Sequence, residues 1–198
     1  MDNILEKYTQ LLFDGFKDDP GLVFQMDNIP DSFRLFKLLL KGQIEVFNEL
    51  GYLSAYNDGN GIVISYPSSQ LQNQEVITAL QKSSKYLLEE AEESTIIEMS
   101  QRALKVAEIS KWDWFIPYVD NKDVLIIQVI VIKEEFRGCG LLKEMLEPLF
   151  KKCEEKDMRI ALQTHNPANL PKYYHYGFKL IEEHSMEDGS LTCYNLLR

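Results

Sequence analysis

The sequence predicts an α/β fold, a mixed central sheet flanked by helices, and three observations carry that reading. Val124 to Ile132 is an apolar run broken only by Gln128, the composition of a strand covered on both faces by helices. The run empties into a turn punctuated by Gly138 and Gly140, after which Leu142, Met145, Leu146, Leu149 and Cys153 form a helical stripe. Along the rest of the chain, helical and extended periodicities are mixed, which is the pattern of a sheet with helices packed on it.

The elements follow in order. Ile4, Tyr8, Leu11, Leu12 and Phe16 recur at helical spacing, and the DDPG that follows predicts a stop. A second helix is predicted from an N-cap at Asp31, just after Pro30, through Phe33, Phe36, Leu39, Leu40, Ile44 and Phe47 to Gly51, placed for a left-handed C-terminal cap. GYLSAYNDGNGIVISYP then changes period, and Asp58 to Gly61 favours a tight reversal, so a hairpin ending at Pro67 is expected. From Gln72 to Ser110 no glycine or proline interrupts the chain, which predicts two helices with a break near Glu93 to Thr95. The acids there, Glu89, Glu90, Glu92 and Glu93, read as a solvated face or as a substrate-recruiting one. WDWFIPYV, from Trp112, has strand composition, and Asn121 with Lys122 is expected to turn into the apolar strand. Beyond the glycine turn, Pro148 should bend its helix or cost it a hydrogen bond. A strand at Arg159 to Thr164, a polar HNPAN loop, a short helix through Tyr173 and two strands around Glu187 to Ser190 complete the tally.

Composition narrows the classes of function. At 198 residues with 45% hydrophobic and 26% charged residues, the chain suits one domain with a full core. No apolar stretch approaches the ~20 residues that cross a membrane, and MDNILEKYTQ lacks the basic start of a signal peptide. Cys139, Cys153 and Cys193 are widely spaced with no CxxC, which predicts a reducing, cytoplasmic setting and no metal site. A net charge of −10 argues against nucleic-acid partners. An anionic ligand would therefore need local help, and Arg137, Lys143 and a helix N-terminus supply it.

The glycine turn has the parts of a phosphate site. Gly138 and Gly140 remove side chains that would hold a diphosphate off the main chain, and the next helix directs its first unpaired N–H groups outward. The same turn also serves as a plain helix start needing small residues. A nucleotide site of the Rossmann or P-loop kind is excluded, because neither GxGxxG nor GK[ST] is present.

Two motifs together decide between these readings. Arg137, Gly138, Cys139, Gly140 and Leu141 match [QR]-x-x-G-x-[GA] at all but its last place, where Leu142 stands, and Asn166, Asn169, Tyr173, Gly177 and Phe178 match N-x-x-[AN]-x-x-x-Y-x-x-x-G-F. In this order and spacing the chain resembles the GNAT superfamily of N-acetyltransferases, specifically over residues 110 to 198 and in outline over 1 to 109. FDGFKDDP, SYP and KWDWF resemble a bacterial branch with a helical insert, although the strand that usually precedes the first helix is not seen.

The resemblance implies one GNAT domain, with acceptor-side helices, hairpin and insert in residues 1–110 and an acetyl-CoA-binding core in 111–198. It implies acetyl-CoA as cosubstrate and direct attack by a small amine in a ternary complex. Backbone groups of Arg137, Gly138, Cys139, Gly140, Leu141, Leu142 and Lys143 would hold the diphosphate, and those of Ile130, Val131 and Ile132 would run beside the pantetheine. Tyr173 would protonate the departing thiolate, as a phenol with a reference pKa of ~10 can. Its other role is packing beside Tyr174, Tyr176 and Phe178. Asn166 and Asn169 would meet the cofactor, or Asn166 would bond its own loop. The base stays open: His165 has a suitable pKa but sits in a turn, Asp113 and Glu134 are carboxylate alternatives, and Gln128 cannot titrate. Cys139 reads as a small residue beside the diphosphate rather than a nucleophile, since no activating base is near it in sequence. The acidic balance favours a cationic acceptor such as a polyamine, an amino sugar or a lysine-like amine. A non-catalytic acyl-CoA sensor is the alternative, motivated by Leu142 and the missing base. The insert also offers a face for a homodimer.

Overall fold

A computed structural model describes residues 2–120 and 122–198. Helix α1 (Asp2–Phe16) is followed by a short α2 (Pro20–Met26) and the long α3 (Ser32–Glu49). The DDPG predicted as a stop does end α1, but it also starts α2, a correction to the two-helix reading. Asp19 caps α2 by accepting the Gly21 N–H at 3.0 Å, and Pro20 takes the first helical position, where a missing N–H costs nothing. Asp31 does precede α3, yet with φ 53° and no side-chain cap bond. Gly51 (φ 72°) closes α3 as predicted, with Gly51 and Tyr52 N–H groups returning to Asn48 and Phe47 carbonyls.

Strands β1 (Leu53–Tyr56) and β2 (Gly61–Pro67) form the predicted hairpin. The stretch after it holds three helices rather than two: α4 (Gln74–Lys82), α5 (Lys85–Glu90) and α6 (Glu93–Ile109). The extra break at Ser83 has a packing cause. A Cβ on Gly42 of α3 would lie 1.8 Å from the Ser83 carbonyl oxygen, so this turn is pressed against the α3 backbone.

WDWFIPYV is not a strand. Residues 112–120 run as turns with a single-turn 3-10 helix at Ile116–Tyr118. Two of its aromatic residues are spent on burial, Trp114 and Phe115, which with Val119 form a plug against Val124, Ala161 and Leu197, while Trp112 and Tyr118 stay exposed. Asn121, half of the expected turn, lies outside the described residues.

The apolar run is β3 (Val124–Ile132), followed by α7 (Leu141–Glu155), β4 (Arg159–Thr164), α8 (Leu170–His175), β5 (Lys179–Ser185) and β6 (Thr192–Leu197). Pro148 sits inside α7 on its exposed side, where water can serve the carbonyl it leaves unbonded. The six strands lie in the order β1-β2-β3-β4-β6-β5, with β3 and β4 parallel and every other pair antiparallel. One face packs on α1 and α3 through Leu12, Ile44, Ile62 and Ile64, and the other on α7 through Leu125, Met145, Leu146 and Ile160. The central strand is thus covered on both faces, as its composition predicted.

Candidate active site

The middle of the sheet opens. β3 and β4 pair only from Val124↔Arg159 to Ile127↔Leu162, although β3 runs on to Ile132 and β4 to Thr164. The separation begins at Gln128. On the other side of β3 the register jumps from Ile64↔Val129 to Ser65↔Ile127, so Gln128 is the extra residue of a β-bulge, which bends the strand away from β4. Gln128 Oε1 accepts the Tyr66 hydroxyl at 3.0 Å. The polar residue in the apolar run therefore marks where the sheet parts.

A cavity of about 380 Å³ occupies this gap and reaches both faces of the sheet. Ile127, Leu162 and Tyr173 line it from the α7 side, while Tyr66, Trp114 and Phe115 line it from the opposite side. Trp112, 60% exposed, also borders it. Among the described residues no lysine or arginine lines it, and the one carboxylate that does is Asp19.

At the far end of β3 stands the glycine loop. Gly138 and Gly140 hold φ of 78° and 86°, a conformation that L side chains resist, and a Cβ on either would meet nothing within 4 Å. Their missing side chains leave open space against the backbone. Among the described residues the N–H groups of 138–143 have no hydrogen-bond acceptor, the condition of a helix N-terminus ready for an anion. Arg137 Nε donates to the Ile132 carbonyl at 3.2 Å and ties the loop to the strand end. Cys139 is exposed, and Lys143 is exposed and paired with Glu147 at 3.4 Å. Leu141 is buried, and Leu142, partly buried, packs against the core under α7.

The other predicted residues fall in several places. Ile130 lines the cavity, Val131 is buried against the α1–α3 side, and Ile132 pairs with Gly61 at the end of the strand. Tyr173 packs edge-on to Phe178, with ring centres 5.8 Å apart, and also faces the cavity. Burial, and then the charge of Asp19, push its phenol up to about 12. Asn169 lines the cavity, whereas Asn166 Oδ1 accepts the Ala168 N–H at 3.0 Å. Asp113 and Glu134 do not line it.

Asp19 and Ser110, which the sequence did not single out, complete the site together with His165, which it offered as a base. Asp19 is raised above the usual carboxylate range by burial, against the pull of His165 and the Gly21 and Leu22 N–H groups. His165 Nε2 lies 2.8 Å from Ser110 Oγ, and burial lowers the imidazole below its ordinary value while Asp19 opposes that. The Asp-Pro pair at residues 19 and 20 was the one available signal for Asp19. Nothing in the sequence near Ser110 foretold its partner 55 residues away.

No protein-family model and no curated protein sequence matches the chain. Solved structures do. An acetyltransferase described as histone acetyltransferase HPA2 and related, from Corynebacterium glutamicum, matches with a TM-score of 0.58 over 100% of this chain and 91% of its own, at 13% identity. Arylalkylamine N-acetyltransferase 2 from Aedes aegypti matches at 0.51 over 81% and 78% of the two chains, at 15% identity. The fold is that of the GNAT acetyltransferases. The C-terminal condensation domain of Ebony, solved with beta-alanyl-dopamine, matches this GNAT fold at 0.61 over 98% of this chain and 94% of its own, at 10% identity. At these identities the likeness is one of fold, and the chemistry must be argued from the residues.

Proposed function

We propose that this chain transfers the acetyl group of acetyl-coenzyme A to a small primary amine. The observation that carries the proposal is the cavity through the parted sheet, with the open glycine loop at one end of β3 and Tyr173 in its wall. The loop suits a diphosphate: open space above Gly138 and Gly140, six free N–H groups and the positive end of α7. The backbone of β3 beyond Ile127, unpaired toward β4, offers a strand edge to an extended amide-bearing arm. A thioester laid along that edge would reach the cavity.

Attack by the amine on the thioester carbonyl forms the C–N bond and, on collapse, breaks the C–S bond. Tyr173, protonated throughout the neutral range, gives its proton to the leaving thiolate. Both substrates would occupy the gap together, one from each face, which favours direct attack in a ternary complex. Cys139, exposed on the loop and outside the cavity, has no place in a covalent route. We assign the acceptor side to residues 1–110, with Trp112, Trp114 and Phe115 added just beyond them, and the acetyl-CoA side to the remainder. These aromatic walls favour an amine with an apolar or aromatic body over the polyamine or amino sugar that net charge alone suggests. Asn166 and Asn169 would meet the adenosine-phosphate or pantetheine side. We place the protein in the cytoplasm.

The test pairs binding with turnover. Titration calorimetry should show acetyl-CoA binding and none of ATP or NAD. A free-thiol assay across aromatic, aliphatic, sugar and polyamine acceptors should show the highest kcat/KM on aromatic alkylamines. Binding without turnover of any amine would favour the acyl-CoA sensor, and no acetyl-CoA binding would refute the proposal.

A further inference from the structure

Resting on the acetyl-transfer reading above, we infer that Ser110 and His165 form the proton relay that takes the proton from the attacking amine, with Asp19 as the positioning charge. The three residues come from different parts of the chain: the turn between α1 and α2, the C-terminal end of α6, and the loop after β4. All three line the cavity that Tyr173 also faces. The relay and the phenol thus serve one enclosed space.

The imidazole is held at both ends. Nε2 meets Ser110 Oγ at 2.8 Å. On the other edge a Cβ added to Gly21 would lie 2.5 Å from Nδ1 and 2.9 Å from Cγ, so the missing side chain at Gly21 is what seats the ring. The backbone of α2 is in turn fixed by Asp19, which caps it through the Gly21 N–H. Asp19 therefore does two jobs from one position, setting the shelf for the ring and placing a negative charge near it.

As the C–N bond forms, the nitrogen sheds a proton to Ser110 Oγ, whose own proton passes to Nε2. The C–S electrons leave on sulfur, which takes the Tyr173 proton. Return of the proton from the imidazolium to the tyrosinate through cavity water closes the cycle, so the net change is amine plus thioester to amide plus thiol. The relay needs a neutral imidazole at rest. Burial favours that form and Asp19 opposes it. The other titratable groups facing these residues are the Tyr173 phenol, and the buried Cys193 thiol beside Ser110, itself raised by burial.

The test is the pH dependence of kcat/KM together with imidazole nitrogen NMR on the full chain. The wild type should lose activity as pH falls through an imidazole pKa below 6.5, and D19N should move that limb to lower pH, because the carboxylate supports the protonated form. H165Q and S110A should each lose about 100-fold or more in kcat with acetyl-CoA affinity unchanged. H165Q should also lose the acidic limb itself, which a merely structural role would not remove. NMR requires no turnover and should show Nε2 as the unprotonated nitrogen, shifting in S110A. An acidic limb that survives in H165Q, or an Nε2 resonance indifferent to S110A, would overturn the relay. Acetyl-CoA binding without turnover in the wild type would sink the proposed activity instead, a failure visible separately.

Discussion

Substituting alanine for Gly140 separates the anion-binding role of the loop from the strain of its backbone. Gly140 holds φ 86° and a Cβ there meets nothing, so no clash is created. The folding cost is then the left-handed conformation, about 1–2 kcal/mol for an L side chain, which for a domain of this size lowers Tm by about 2–8 °C. If the free N–H groups of 138–143 hold the diphosphate, the added methyl stands in the ligand's space or turns donors away from it. Loss of one charge-assisted hydrogen bond, about 1.5–3 kcal/mol, weakens acetyl-CoA binding about 10- to 100-fold. Gly51 supplies the control, with φ 72°, also open around its Cβ position and at the end of α3. G51A should cost similar stability and leave acetyl-CoA affinity unchanged. Thermal melts and titration calorimetry on both variants decide the matter. Equal acetyl-CoA affinity in G140A and the wild type would refute the loop as the diphosphate site.

Three further outcomes are expected. Y173F should keep acetyl-CoA affinity and folding stability, since no residue among those described bonds its hydroxyl, and lose about 100-fold or more in kcat, while Y174F, altered at an exposed ring, should be unaffected; steady-state kinetics check both. G42A should destabilise by about 2 kcal/mol in urea melts, because overpacking against the Ser83 carbonyl, 1.8 Å from the new Cβ, outweighs the ~1 kcal/mol that alanine gains over glycine in a helix. Asp123, despite partial burial that raises its pKa, is held below the usual carboxylate range by the Ser68 hydroxyl and by the Ser69 and Val124 groups that it accepts from. Its contribution is therefore present above its unfolded pKa near 4 and is lost as pH falls through the lower folded value, so the deficit of D123A, about 2 kcal/mol at pH 7 by denaturation, should shrink below pH 4.

Legibility in the sequence followed the range of the interactions. β3, the glycine loop and α7 were readable because an apolar run, two glycines and a 3.6-residue stripe each act locally. The hairpin and the Gly51 cap were readable for the same reason. WDWFIPYV failed because aromatic composition suits a strand and a buried plug equally, and the choice depends on the distant Ala161 and Leu197. The break at Ser83 depends on Gly42, 41 residues earlier, and leaves no local mark. In the candidate site, Tyr173 and the loop were singled out by motif spacing. Asp19 was hidden because a Pro-Gly after an acid was read as an ending, when an acid before proline equally begins a helix. Ser110 became visible only once α6 and β4 were brought together.

The most direct test of the central claim, that acetyl-CoA lies along the β3 edge with its diphosphate on the loop, is a backbone amide NMR titration with stoichiometric acetyl-CoA. The account predicts that the largest shifts fall on the amides of residues 138–143 and of 128–130. Saturable binding that leaves those amides unmoved and shifts others instead would contradict it.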